Sequence, residues 1–279
     1  MIFNFYTILL WSILSIQKGR YFLQTEQQKP WLFRAIKYLV RLFYPKMEVV
    51  GMDNIPDEPV VIVGNHTQIH GPIACELFFP DSYYTWCAGQ MMKLKEVPKY
   101  AYTDFWSQKP KALRPLFKLI SYIIAPLSVL IFNNARTIAV YRDNRILSTF
   151  RESIAKLQNG KSVVIFPEHD VKYNNIVYDF QEGFVDVARL YYKRTSKELS
   201  FVPLYIAPKL KKMYLGKPIK FSAENPIEEE RRHICDYLMN EITDIAYRLP
   251  QHTVIPYRNI PKKYYPKNIK EKKNEKTPS

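Results

Sequence analysis

Residues 61–72 read Val61-Ile62-Val63-Gly64-Asn65-His66-Thr67-Gln68-Ile69-His70-Gly71-Pro72. Residues 60–63 are apolar and β-branched, and Gly64 ends the run. A run of that length between breakers reads as a buried strand; periodicity alone leaves a buried helix segment as the alternative. Asn65 and His66 follow at once, then His70 and the Gly71-Pro72 break. Open α/β sheets place their chemistry just past the carboxyl ends of buried strands. His66 is therefore the candidate general base.

Downstream, residues 162–166 repeat the signal of a buried strand and run into Pro167-Glu168-His169-Asp170. Further strands are expected at 47–50, 84–87, 137–141 and 201–206, with a closing hairpin from 213–215 and 219–221. Helices are expected at 73–79 and from about 143 to Gly160, the latter with an apolar face through Leu147, Phe150, Ile154 and Leu157. Asp179 is the expected cap of a helix whose apolar face is Phe180, Phe184, Val187, Ala188 and Tyr191. Asn225-Pro226-Ile227-Glu228 has the form of a helix start: capping side chain, proline in the first turn, glutamate third. Residues 116–132 are strongly apolar but broken at Pro126, so a continuous span is not expected; a lipid-facing or groove-lining helix pair and a buried core helix are the two readings. Strands alternating with helices imply an α/β fold with a mostly parallel central sheet flanked by helices.

The 279 residues carry a net charge of +15 and 15% aromatic residues. That balance points to anionic partners, and interleaved aromatics suit a membrane interface. Residues 2–16 are almost wholly apolar yet short for a span. Residues 31–43 place Leu32, Ile36, Leu39, Val40 and Phe43 on one helical face and Arg34, Lys37 and Arg41 opposite. A basic amphipathic helix beside an apolar one reads as monotopic attachment. Residues 258–276 hold eight basic residues against two acidic. The expected organisation is therefore N-terminal membrane-associated helices (1–45), an α/β domain (46–250) and a basic, disordered tail (251–279). An anionic membrane surface is the expected partner, at its cytoplasmic face. Nothing resembles a nucleic-acid-binding motif, and with 8 glycines a Gly-rich phosphate loop is not expected. Cys75, Cys87 and Cys235 lie far apart, as free thiols of a reduced compartment do.

Parallel strands would bring Asn65-His66, Arg142 and Glu168-His169-Asp170 to one edge of the sheet. A base, a fixed cation and a carboxylate together suit acyl transfer to an alcohol. The same residues resemble the motifs of the glycerolipid acyltransferases of the lysophosphatidic acid acyltransferase type. Asn65-His66 with Gly71-Pro72 is similar to the first motif, Asn-His-x-x-x-x-Asp-Pro. Ile138-Ala139-Val140-Tyr141-Arg142 resembles the second, which ends Phe-Ile-Asp-Arg. Phe166-Pro167-Glu168 matches the start of Phe-Pro-Glu-Gly-Thr-Arg, and Val202-Pro203-Leu204 resembles the Val-Pro strand of the fourth. The likeness runs over about residues 47–222. It implies a glycerolipid-acyltransferase-like fold and a membrane enzyme that moves a fatty acyl group from acyl-CoA or acyl carrier protein to a hydroxyl of a glycerol-phosphate or lysophospholipid-like acceptor. It needs no cofactor beyond that co-substrate. By the same resemblance His66 is the base, and Arg142 and Glu168 help to hold the acceptor.

Gly71 stands where that family has the aspartate that orients the histidine, and His169-Asp170-Val171 replaces its Gly-Thr-Arg. Either another carboxylate, Asp170 or Glu168, serves His66, or the chain keeps the fold as a lipid-binding protein without turnover. The expected site is thus His66, Asp170 and Glu168 for catalysis, with Asn65, His70, Arg142, His169 and Lys172 around the substrate and no metal. A metal-dependent hydrolase built on His66, His70, His169 and Asp170 is the remaining alternative.

Overall fold

A computed structural model of the chain describes residues 29–80, 82–107 and 110–270. The apolar segment at 2–16 lies outside the described residues. In chain order the elements are α1 (Trp31–Phe43), β1 (Glu48–Val50), β2 (Val60–Gly64), α2 (His70–Phe78), β3 (Tyr83–Ala88), α3 (Val97–Ala101) and α4 (Arg114–Asn134). They continue with β4 (Thr137–Val140), α5 (Ile146–Gln158), β5 (Ser162–Ile165), β6 (Glu168–Lys172), β7 (Tyr178–Phe180) and α6 (Asp186–Thr195). The chain closes through β8 (Ser200–Ala207), β9 (Lys212–Leu215), β10 (Ile219–Lys220) and α7 (Ile227–Arg248). Two compact units emerge, one from residues up to 43 and from 87–146, the other from 44–86 and the chain from 147 onward.

The second unit is mixed α/β. Its sheet runs β1-β9-β8-β2-β5-β3, with β10 also paired to β8. β2, β5, β3 and β8 are mutually parallel, as is β1 to β9; β9 and β10 run antiparallel to β8. The expected hairpin of 213–215 with 219–221 is not formed, because both segments pair with β8 instead. The four residues before Gly64 are wholly buried, as are the four of β5. Helices cover both faces of a parallel sheet, so its central strands read as continuous apolar runs. The core gathers Val60, Ile62, Val164, Val202, Leu204, Ile206 and Met213. Each such side chain contributes ~1.5–3 kcal/mol of burial.

Three local expectations fail for identifiable reasons. Asp179 caps no helix: it lies in β7, which pairs with β6, and α6 starts only at Asp186. Leu147 is exposed, and α5 packs instead through Thr149, Ser153, Ile154 and Leu157. At the start of α7 the role expected of Glu228 falls to Glu230. Its buried carboxylate accepts from Ser222 N–H at 2.8 Å and from Asn225 Nδ2 at 2.9 Å.

Residues 251–270 also differ from the expected disordered tail. His252, Val254, Ile255 and Asn268 are buried. Asn268 Nδ2 donates to the α7 carbonyl of Ala246 at 2.7 Å, and its Oδ1 accepts from His252 N–H at 2.6 Å. Val254 N–H donates to Pro266 at 2.9 Å. The segment thus closes on itself and docks on α7. Its charge pattern concealed a few well-placed apolar and amide side chains.

In the first unit, α4 continues through Pro126 as one 21-residue helix, neither a helix pair nor a buried core helix. Proline removes one rung of the ladder, and the flanking turns keep the rest. Ser121, Ala125, Ser128 and Leu130 are its buried residues, and Ser128 Oγ donates to Met91 O at 2.9 Å. Leu116, Leu119, Tyr122, Ile123 and Leu127 are exposed. Residues Lys111–Asn134 are long and apolar enough to cross a membrane by length and composition. On α1 only Phe33 is buried, and Trp31, Leu39, Leu42 and Phe43 are exposed.

Candidate active site

Register decides what meets His66. β2 and β5 are adjacent and parallel, with Val63 opposite Ile165. His66 and Glu168 each lie three residues further on, so the two chains reach the same level past the sheet. There the Glu168 carboxylate accepts from the main-chain N–H of His66 through Oε2 at 2.6 Å and from that of Tyr178 through Oε1 at 2.8 Å. Glu168 is 3% exposed. Burial pushes its carboxyl up to about 7, although both N–H bonds favour the charged form.

The loop after His66 is held in an uncommon conformation. Thr67 and Gln68 both have left-handed backbone, at φ 47° and 56°. For a β-branched residue this is a genuine outlier, of the kind that collects at functional sites. The chain then folds back so that Gly71 N–H donates to the His66 carbonyl at 3.1 Å. A Cβ on Gly71 would lie 2.5 Å from that carbonyl oxygen and 3.2 Å from the Phe166 ring. This turn therefore demands glycine where the resembling family carries aspartate.

His66 itself is partly exposed, but its Nδ1 is buried and has no hydrogen-bond partner among the described residues. Burial lowers its pKa to about 4, and the Gln68 main chain opposes that shift only in part. The ring is neutral at pH 7. With Nδ1 closed off, Nε2 is the nitrogen left to meet a substrate. Two aromatic rings stand edge-on to it: Phe166 at 5.3 Å between centroids and Tyr257 at 5.9 Å.

The other expected site residues are placed as follows. Asn65 is buried, and its amide is spent on β8, donating to Ile206 O at 3.1 Å and accepting from Ile206 N–H at 2.7 Å. It fixes the strand end beneath His66. His70 opens α2, and its Nδ1 shares a hydrogen bond with Tyr44 Oη at 3.0 Å. Burial lowers the His70 pKa, and Lys209 and Lys262 add to that. His169 Nε2 faces Asp179 Oδ2 at 3.1 Å, and Lys172 Nζ donates to Asn175 Oδ1 at 2.7 Å. Asp170, with its side chain 79% exposed, lies 3.6 Å from Arg258 Nε. Neither Asp170 nor Glu168 bonds to the His66 ring. Arg142 is exposed and belongs to the first unit.

Among the described residues no group of three His, Cys, Asp or Glu side chains converges as a metal site. His70 and His169, counted in the alternative metal set, are engaged with Tyr44 and Asp179. A polar hollow lined by Glu58, Tyr192, Lys197, Glu198 and Lys220 lies where β2 and β8 begin. That is the opposite edge from His66, so the hollow does not serve the same chemistry.

Residue-by-residue reading of the sequence missed Tyr257. Nothing in a basic, proline-bearing segment signals a wall of the site; an isolated run of apolar residues at 254–257 is the faint cue.

No protein-family model matches the chain, and no curated protein matches it. Among solved structures, the chain is similar to the 1-acyl-sn-glycerophosphate (LPA) acyltransferase PlsC from Thermotoga maritima. Identity is 15%, the TM-score is 0.47, and the match covers 88% of this chain and 90% of that one.

Proposed function

We propose that this protein is an acyltransferase that moves a fatty acyl group from a thioester donor, acyl-CoA or acyl carrier protein, to a hydroxyl of a glycerol-phosphate or lysophospholipid-like acceptor. The observation that carries the reading is His66: an imidazole neutral at pH 7, past the carboxyl end of a buried parallel strand, its main chain pinned by Glu168. The four motif-like stretches in order, at Asn65-His66, Arg142, Phe166-Pro167-Glu168 and Val202-Pro203, support it.

In the reaction Nε2 of His66 takes the acceptor's hydroxyl proton as the oxygen attacks the thioester carbonyl. The tetrahedral intermediate collapses, the carbon–sulfur bond breaks, and the imidazolium returns the proton to the departing thiolate. Ester and free thiol result. Glu168 holds the base through its main chain rather than through the ring. In the second unit His169 and Lys172 are the donors assigned to the anionic headgroup, with His70 as a further candidate. The exposed apolar sides of α1 and α4, with Arg34 and Arg41 on α1, fit an anionic membrane surface, at whose cytoplasmic face the enzyme acts.

The bare Nδ1 favours one rival: a lipid- or acyl-CoA-binding protein with no turnover. Thiol release from acyl-CoA over a panel of lysophospholipids and glycerol phosphate separates the two. Ester product that disappears in His66→Ala supports the transferase; calorimetric binding of acyl-CoA with no product in wild type supports the rival.

A further inference from the structure

We infer that the C-terminal strap of residues 252–270 completes the site, and that Tyr257 is a positioning residue for the His66 imidazole. The inference rests on the acyltransferase reading for its kinetic consequence, and on geometry alone for its structural one.

The strap is built to be held. His252 Nδ1 lies 2.7 Å from the Pro250 carbonyl and must be the protonated nitrogen, so Nε2 accepts from Tyr205 Oη at 2.7 Å. Asn268 ties the strap to the end of α7, and Thr253 bridges to Lys267. With both legs fixed, the intervening residues project over the His66 loop. Gln68 Nε2 donates to the Arg258 carbonyl at 3.3 Å and to Tyr265 Oη at 3.0 Å. The strap thus grips one of the two left-handed residues whose conformation needs outside support. Arg258 also reaches Asp170 of β6.

At the tip, Tyr257 closes a circuit around His66. On the main-chain side, Glu168 joins His66 N–H to Tyr178 N–H. On the ring side, Tyr178 packs against Tyr257 at 5.8 Å, and Tyr257 stands at 89° to the His66 ring at 5.9 Å. A histidine base is ordinarily oriented by an acceptor on its second nitrogen. Here no carboxylate reaches Nδ1 among the described residues. Edge-to-face packing between Phe166 and Tyr257 supplies the orientation in its place.

The test uses the full chain with Tyr257→Ala, Tyr257→Leu and Tyr257→Phe. Two quantities are read: the NMR titration midpoint of the His66 ring, followed by its own ring signals because Glu168 also titrates, and kcat against KM. In Tyr257→Ala the midpoint should rise by at least about one pH unit toward the free value. kcat should fall about five- to tenfold, with KM within about twofold. Tyr257→Phe, which keeps the ring, should restore both. If Tyr257→Ala does not fold, Tyr257→Leu keeps the bulk without the ring and should show the same direction. An unchanged midpoint and kcat in Ala and Leu variants overturns the inference, as does equal damage from Phe. If wild type transfers no acyl group, the acyltransferase reading fails while the titration arm still decides whether Tyr257 positions the ring.

Discussion

The Glu168 carboxylate holds His66 by its main-chain N–H, at 2.6 Å, and leaves the imidazole alone. A carboxylate beside a histidine would ordinarily be read as its proton partner. In this protein it is a bracket between two loops, the second attachment being Tyr178 N–H. Replacing both acceptor oxygens strands two N–H groups. Glu168→Ala should therefore cost ~1–3 kcal/mol for each unsatisfied donor, read by chemical denaturation. Glu168→Gln should lose about half as much, since its amide oxygen still accepts from one donor while its NH2 faces the other. Stability equal to wild type in both variants would remove the bracket.

The raised Glu168 carboxyl sets a sign for pH dependence. Its folded pKa of about 7 exceeds the 4.5 of a free glutamate. Its contribution is therefore complete below the unfolded value and is lost as pH climbs from 4.5 through 7. The difference in unfolding free energy between wild type and Glu168→Ala should narrow over that window.

His66 works in the opposite direction. Its folded pKa, lowered to about 4, means that the native state resists protonation. Stability from this group is present above 6.5 and is lost as pH falls toward 4. Wild type should lose stability relative to His66→Gln across that interval. His66→Ala should also abolish acyl transfer, and wild-type kcat/KM should hold from neutral pH down to near 4 before the base is lost. A wild-type rate in His66→Ala would end the general-base assignment.

Restoring the family-like aspartate should not help. Gly71→Asp places a Cβ 2.5 Å from the His66 carbonyl oxygen, a contact that the turn has to move to accept. We expect roughly 1–3 kcal/mol of destabilisation and no gain in kcat. A faster Gly71→Asp enzyme would mean that the turn yields easily and that the missing carboxylate limits the rate.

Leu119 and Ile123 stand exposed on α4. If this side meets lipid, Leu119→Glu with Ile123→Glu should lower partitioning onto anionic vesicles by more than about tenfold, since each apolar side chain contributes ~1.5–3 kcal/mol when buried. Salt should weaken wild-type binding through its basic residues. Equal partitioning of the double variant in a flotation assay would assign that side another role.

Several elements were plain from local pattern. The β-branched runs ending at Gly64 and Ile165 read as buried strands by their length and breakers, and the polar residues after them marked the edge where chemistry sits. Pro126 misled because a proline removes one hydrogen bond, and the remaining turns of the 21-residue helix outweigh it. Asp179 misled because a capping residue type is also at home in a short strand, where its carboxylate meets His169. The tail misled because charge dominates its composition, whereas His252, Val254 and Asn268 decide its order.

Sequence by itself determined the α/β alternation, the position of His66 past a buried strand and the basic, apolar-sided character of α1, because each follows from neighbours along the chain. Tertiary structure decided that Glu168 grips a main chain rather than a ring, that Gly71 is compelled by a carbonyl, and that Tyr257 reaches His66 from 191 residues away. Those relations depend on strand register and on a strap docked to α7, and no local pattern encodes the distance between two residues that only folding brings together.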